Sequence, residues 1–287
     1  MFPKKIALLT DSCSDLDSRL KEENHIYTIP LRILCKDGEY FDGVNIQNTD
    51  IYECLRSGEL PKTSLPSGED IERVFTQIAQ DGYDGVIGVM LSSGLSGTYN
   101  LVRLMAQERE DLEIRVFDSL SGSLGMGVTL MQLAEDIRGG MEWEELVERR
   151  TPQLLAGMHP FFSVDTLEYL QKGGRIGKVT ATAGMLLQIK PLLSFAPDGQ
   201  LTSVAKVRGR NQVIERLVKL TVEACGSHKR YNLAVANGGA APEMEILRTK
   251  LMAALPDYDH VWEGEIDGTL SVYIGDGILG TAVQILD

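Results

Sequence analysis

The stretch Gly85-Val86-Ile87-Gly88-Val89-Met90-Leu91-Ser92-Ser93-Gly94-Leu95-Ser96-Gly97-Thr98-Tyr99 decides the fold. Its apolar run reads as a strand, and the strand passes through small hydroxyl residues into a helix. Such a junction can receive an oxyanion. Hydroxyls donate hydrogen bonds, glycine lets the backbone come close, and the following helix offers free N–H groups at the positive end of its dipole. A second hydroxyl loop, Pro61-Lys62-Thr63-Ser64-Leu65-Pro66-Ser67, lies upstream. Taken singly, each loop also fits an ordinary strand-to-helix turn with a serine cap.

Outward from this stretch the chain alternates between strand and helix. Ile6–Leu9 reads as a strand ending at Thr10-Asp11-Ser12, followed by a helix over 15–23. Further strands are expected at 26–34, 86–91 and 114–117, and further helices at 50–56, 69–79, 98–108 and 125–138. Alternation of this kind predicts a mostly parallel sheet with helices on its faces. Three strands end in Ser or Asp-Ser, at Ser12, at Ser92-Ser93 and at Asp118-Ser119. Ligands of open parallel sheets bind beyond the carboxyl ends of the strands, so these polar ends should converge on one anion site.

A helical connector over 142–156 leads to a second unit. A strand is expected at 161–164 and a short helix at 166–171, stopped by Gly173-Gly174. Strands at 192–195 and 201–207 flank Ala196-Pro197-Asp198-Gly199, a hairpin turn signal. Helices at 213–222 and 243–255 bracket a strand at 233–236, and strand-like runs follow at 261–266, 270–274 and 281–286. The expected architecture is α/β with two α/β domains. The first, 1–157, has a mostly parallel sheet flanked by helices and carries the hydroxyl loops. The second, 158–287, has a mixed sheet with helices.

The chain has 287 residues, 43% hydrophobic and 24% charged, as in soluble globular proteins. Its net charge of −13 argues against nucleic acid as the main partner. The run Ile6–Leu9 is too short for a signal-peptide core or a membrane span. Cys13, Cys35, Cys54 and Cys225 are scattered, with no C-x-x-C pair, which points to free thiols in a reducing cytoplasm and to no metal. One window departs from the acidic background. Between Lys172 and Arg210 seven basic residues face one acid, Asp198, so the window carries +6 and the rest of the chain −19. Met185-Leu186-Leu187, Ile189 and Leu192-Leu193 are interleaved with those charges, a pattern suited to an amphiphile with an anionic head.

No catalytic constellation is legible. Gly94-Leu95-Ser96-Gly97-Thr98 is not G-x-S-x-G, and Gly173-Gly174-Arg175-Ile176-Gly177-Lys178-Val179 has neither the spacing nor the Ser/Thr of a P-loop. His25, His159, His228 and His260 are isolated.

Several motifs in order resemble the DegV family, bacterial fatty-acid-binding proteins that serve as the binding subunit of fatty acid kinase. They are Thr10-Asp11-Ser12 with Asp15, the 61–67 loop, Leu91–Tyr99, Asp118-Ser119, Thr166 to Ile176 with its Gly173-Gly174-Arg175-Ile176, Lys190-Pro191, and Lys206 to Arg210. The resemblance spans essentially the whole chain. It implies a fatty acid in a tunnel, with its carboxylate held by Thr63 and Ser93 and with Ser64 and the Gly94 backbone close by. It also implies that Arg175, with Arg208 or Arg210, serves the phosphate region and the coupling to a separate ATP-dependent kinase subunit. On that reading the chain is not itself an enzyme. It needs no cofactor, and it hands its ligand to acyl-phosphate formation for phospholipid synthesis in the cytoplasm.

The pattern breaks near the end. Where many members have a histidine before Gly-Pro-Gly, this chain reads Tyr273-Ile274-Gly275-Asp276-Gly277. Tyr273 can donate a hydrogen bond but cannot become cationic near neutral pH, and Asp276 would repel a second negative charge nearby. Two other readings fit the same residues. One is an enzyme on a small phosphorylated metabolite, with the loops and basic window as a phosphate cradle. The other is an adaptor that binds an acidic partner through 172–210.

Overall fold

A computed structural model describes residues 4–179 and 189–287. Its first sheet is built from β1 (Ile6–Asp11), β2 (Ile26–Ile29), β6 (Gly85–Met90) and β7 (Glu113–Asp118), in the order β2-β1-β6-β7 and parallel throughout. The chain steps from β1 to one side and returns on the other. The carboxyl ends of β1 and β6 therefore flank the reversal point where open α/β sheets place ligands. The remaining strands are β3 (Arg32–Cys35), β4 (Gly38–Phe41), β5 (Lys62–Ser64), β8 (Met158–Ser163), β9 (Ile189–Phe195), β10 (Leu201–Arg208), β11 (Tyr231–Gly238), β12 (Val261–Glu265) and β13 (Ile278–Ile285). The last six of these form a mixed sheet in the order β10-β9-β8-β13-β11-β12, antiparallel except for β11 with β12. The α/β architecture, parallel first and mixed second, is the one expected.

Helix Leu124–Arg138 sits between the two sheets and is buried on every side from Leu124 to Ala134. A helix apolar all round belongs in a core. Its Gly127 lets Ser14 approach, since a Cβ there would lie 2.4 Å from the Ser14 carbonyl oxygen. Its polar side chains are matched inside, with Asn232 donating to Gln132 at 2.9 Å and Gln284 donating to Thr129 at 2.9 Å. The outer face of the parallel sheet is covered by helices Gly68–Gln80 and Thr98–Ala106. The outer face of the mixed sheet is covered by Arg210–Cys225 and Ala241–Ala254.

Three expectations are corrected. The single strand expected over 26–34 is two, β2 and β3, in different sheets. Pro30 lies between them and lacks the N–H that a continuous ladder needs. The segment 61–67 is not only a loop, because Lys62–Ser64 is β5, paired with β3 in a small antiparallel sheet β4-β3-β5. The run 270–274 is no strand but part of helix Gly268–Ile274. Asp267 caps it by accepting from Leu270 N at 2.9 Å, and Asp42 accepts from Gly268 N at 3.0 Å and Thr269 N at 3.2 Å. These bonds satisfy the helix's first free donors.

Candidate functional site

Beyond the carboxyl ends of β6 and β7 an apolar cavity runs toward the mixed sheet, with about 930 Å³ of empty space counting its mouth. Leu91 and Leu95 line it from the second hydroxyl loop, Leu124 from the central helix, and Phe162, Phe195 and Ala282 from the mixed sheet. Three polar side chains meet in its lining. Thr63 Oγ1 and the Tyr273 hydroxyl are 2.6 Å apart, and the Arg175 guanidinium lies 4.9 Å from the centre of the Tyr273 ring. Ser96 and Thr269 also face the cavity. A second, outer pocket is lined by Lys62, Lys172 and Tyr169 and shares Thr63, Arg175 and Tyr273 with the inner cavity. Those three residues therefore form the partition between an apolar interior and a basic vestibule.

Each part of that partition has a local cause. Thr63 projects inward because β5 pairs with β3 in the register Ile33↔Thr63, which leaves its neighbours Lys62 and Ser64 on the exposed side. Tyr273 comes from the helix that Asp42 and Asp267 cap. Its ring rests on Gly173, where a Cβ would lie 2.4 Å from Tyr273 Cδ1. Arg175 is held by donation to the Gly173 carbonyl at 2.7 Å and, more weakly, to the Leu95 carbonyl at 3.4 Å.

Thr63, Arg175 and Tyr273 thus meet, and the other expected residues do not join them. Ser64 is exposed on β5. Ser93 is exposed, with its N–H given to Asp118 Oδ1 at 3.1 Å. The Gly94 N–H is given to Ser92 Oγ at 3.2 Å, and a Cβ at Gly94 would lie 2.3 Å from the Gly199 backbone. Gly94 therefore serves the packing of the hydroxyl loop on the β9–β10 turn, where Ser92 donates to the Gly199 carbonyl at 2.7 Å. Arg210 donates to the Gly277 carbonyl at 2.5 Å and steadies the turn after Tyr273. Arg208 is exposed at the end of β10. Asp276 lies outside both cavities and pairs with Arg56 at 2.5 Å. Ser96, the third serine of its loop, is the one that reaches the cavity.

The basic window is largely neutralised by neighbours. Lys172 pairs with Glu168 at 2.6 Å, Lys178 with Asp198 at 2.5 Å and Lys190 with Asp165 at 2.9 Å. Met185-Leu186-Leu187 lies outside the described residues.

Behind the site sits a buried acidic group. Asp11 accepts from Leu91 N at 2.7 Å and Cys13 N at 3.0 Å, and Asp15 accepts from Asp267 N at 3.0 Å and from the Ser123 hydroxyl. Burial, foremost, pushes Asp11 and Asp15 up to about 7. Burial and the nearby charge of Asp15 and Asp42 push Asp267 well above the carboxylate range. The group ties the end of β1 to the hydroxyl loop and to the helix that carries Tyr273.

The family model described as "Uncharacterised protein, DegV family" matches residues 5–285. A DegV domain-containing protein of Clostridium acetobutylicum is 38% identical over 280 residues, covering 98% of this chain and 99% of the relative. A fatty-acid-binding DegV family protein from Thermus thermophilus superposes with a TM-score of 0.91 at 30% identity, covering 98% of this chain and 100% of that one. DegV of Bacillus subtilis, described as a fatty acid binding protein, superposes with a TM-score of 0.87 at 26% identity over 98% and 99% of the two chains.

Proposed function

The chain belongs to the DegV family, and from that premise we propose that it binds a long-chain fatty acid. The acyl tail lies in the apolar cavity and the carboxylate lies at the Thr63–Tyr273–Arg175 end. One observation carries this reading, namely a largely apolar cavity in whose lining Thr63, Tyr273 and Arg175 meet, at the residues it shares with the outer pocket. Each buried methylene contributes roughly 0.8 kcal/mol, so the tail dominates affinity. The head group fixes orientation. An ionised carboxylate is costly to bury without donors, and the two hydroxyls of Thr63 and Tyr273 can turn from each other toward it. Ser96 takes the part expected of Ser93, and Arg175 supplies the positive charge.

In the finer reading the bound head group is presented through the basic vestibule to a separate ATP-dependent kinase subunit, which forms the acyl phosphate for phospholipid synthesis. Arg175 belongs to both cavities and is assigned to that phosphate region, with Arg208 as an exposed contact for the kinase. The chain itself is a non-catalytic carrier in the bacterial cytoplasm. Among the described residues lining the cavity there is no histidine, cysteine or carboxylate to serve as base or nucleophile. That lining also disfavours an enzyme for a phosphorylated metabolite.

Native mass spectrometry of the purified protein, followed by denaturing extraction, tests the reading. One copurifying species of fatty-acid mass is expected. A protein that is empty and takes up no added fatty acid would sink it.

A further inference from the structure

We propose that Cys35, Cys54 and Glu59 form a binding site for a borderline-soft divalent cation of the zinc type, where the β3–β4 hairpin meets helix Asn48–Arg56. Cys35 ends β3 and stands opposite Gly38 in the hairpin. Cys54 lies in the last turn of the helix. That helix ends in a Schellman motif. Gly58 takes φ +84°, its N–H bonds to the Leu55 carbonyl at 3.1 Å, and the Glu59 N–H bonds to the Cys54 carbonyl at 3.0 Å. The chain thereby folds back and sets Glu59 beside Cys54. Glu59 Oε1 then accepts from Lys36 N in the hairpin turn at 2.7 Å, drawing Cys35 to the same place.

The two sulfurs and a Glu59 carboxylate oxygen lie within 4.8 Å of one another. A tetrahedral zinc ion with Zn–S of about 2.3 Å and Zn–O of about 2.0–2.2 Å needs only a modest contraction of that triangle. All three residues are partly exposed, so an ion can enter and a water can complete the shell. Two thiolates with a carboxylate favour zinc or cobalt over magnesium or calcium. Binding releases the two thiol protons to solvent. A second group, Cys13, Asp42 and Asp267, is equally close-set. Its carboxylates, however, already accept from Ser12, Gly268, Thr269 and Leu270. Glu59 Oε2 has no partner among the described residues. The separation of Cys35 from Cys54 in sequence conceals the site, which only the fold brings together.

The location gives the ion a structural consequence. β3 pairs with β5, which carries Thr63, and helix Asn48–Arg56 packs on the helix that carries Tyr273. A cation bound here would clamp β3 to helix Asn48–Arg56, the neighbours of the two elements that supply the hydroxyl pair of the head-group site.

Cobalt titration of the full-length, metal-stripped protein, reduced with a non-chelating phosphine, tests the proposal. Thiolate-to-cobalt charge transfer and intense tetrahedral d–d bands should saturate at one equivalent and vanish when one equivalent of zinc is added. Cys35→Ser and Cys54→Ser should each abolish the bands, and Glu59→Gln should weaken zinc binding at least several-fold. Cys225→Ser, at a buried thiol on the far side of the mixed sheet, should leave them unchanged. Glu59→Gln keeps both thiols and reports even if a serine variant fails to fold. Absence of bands in the wild type, bands that persist in both serine variants, or an air-formed Cys35–Cys54 disulfide with no metal uptake after reduction would overturn the proposal.

Discussion

At the scale of single residues, the head-group end divides a job that one histidine could do alone. Tyr273 offers a neutral donor, and the positive charge comes from Arg175 stacked on its ring. Tyr273→Phe keeps the ring on Gly173 and removes the hydroxyl. A hydrogen bond to a charged group contributes about 1.5–3 kcal/mol, so fatty-acid affinity should fall roughly 10-fold or more, measured by displacement of a fluorescent fatty acid. Unchanged affinity would remove Tyr273 from the site. Asp267 poses a different question. Its Oδ1 caps Leu270 N, and its raised pKa keeps a proton that it can donate to Asp15. Asparagine reproduces both roles, as an N-cap acceptor and an N–H donor. Asp267→Asn should therefore cost less than about 1 kcal/mol, and Asp267→Ala about 2–3 kcal/mol, by urea unfolding at pH 7. Equal losses would mean that Asp267 is ionised. Asp11 and Asp15, held up to about 7, give the pH dependence its sign. A folded pKa above the unfolded one means that the native state binds more protons. The contribution is complete below about pH 4 and is lost as pH rises through 7. Unfolding free energy should fall from pH 5 to pH 8. Asp70 does not oppose this trend. Burial raises its pKa, but hydrogen bonds from Ser67 and Arg32 outweigh that and bring it down to about 2, so its own loss comes only in stronger acid.

At the scale of elements, two short helices hold the partition in place by ring-on-glycine contacts, Tyr273 on Gly173 and Tyr169 on Gly275. Helix Glu168–Lys172 ends at Gly173, whose φ of −79° any residue can adopt. What excludes a side chain there is the Tyr273 ring, 2.4 Å from an added Cβ. Gly173→Ala should push Tyr273 away from Thr63 and weaken ligand retention about as much as Tyr273→Phe does, with a loss of stability of about 1–3 kcal/mol. A variant with wild-type affinity and thermal midpoint would show that the ring moves freely. The same elements explain what could be read in advance. β1, β6 and β11 are buried apolar strands, and their hydrophobic runs announce them. Helix Gly268–Ile274 is too short to display a period, and Leu270-Ser271-Val272-Tyr273-Ile274 alternates like a strand. Its caps come from Asp42 and Asp267, and Asp42 is remote in sequence. β5 is a polar three-residue strand whose identity rests on pairing with β3, which no local pattern records. The loop Ser92-Ser93-Gly94-Leu95-Ser96 presents three serines. The turn in which Leu95 N and Ser96 N both donate to the Ser92 carbonyl, at 3.0 and 3.1 Å, decides that the third faces the cavity.

At the scale of the whole molecule, the division at 157/158 separates two sheets, and we propose that it does not separate two folding units. Helix Leu124–Arg138 belongs to the first segment, yet it packs on β8, β11, β12 and β13 of the second as well as on β1 and β6. Cut at 157, it would expose Leu124, which packs against Gly264, and Thr129 and Gln132, which are bonded to Gln284 and Asn232. The last strand also returns to the cut, with Ile285 N donating to the Gly157 carbonyl at 2.9 Å and Arg150 Nη1 donating to the Leu286 carbonyl at 3.2 Å. Residues 1–157 alone should therefore bind hydrophobic dyes and lack a cooperative transition, whereas the full chain should unfold in one. The ligand cavity lies in the same shared region, lined by Leu91 and Leu124 from one segment and by Phe195 and Ala282 from the other. A fatty acid there completes the core that both sheets share. At a free concentration of about 100 times Kd it should add roughly 2.7 kcal/mol, or roughly 5–10 °C in Tm for a chain of this size. Calorimetry of delipidated and reloaded protein should show a single transition moving as a whole. Two transitions, of which only one moved with ligand and persisted in isolated 158–287, would assign the cavity to the second segment alone and make the segments independent.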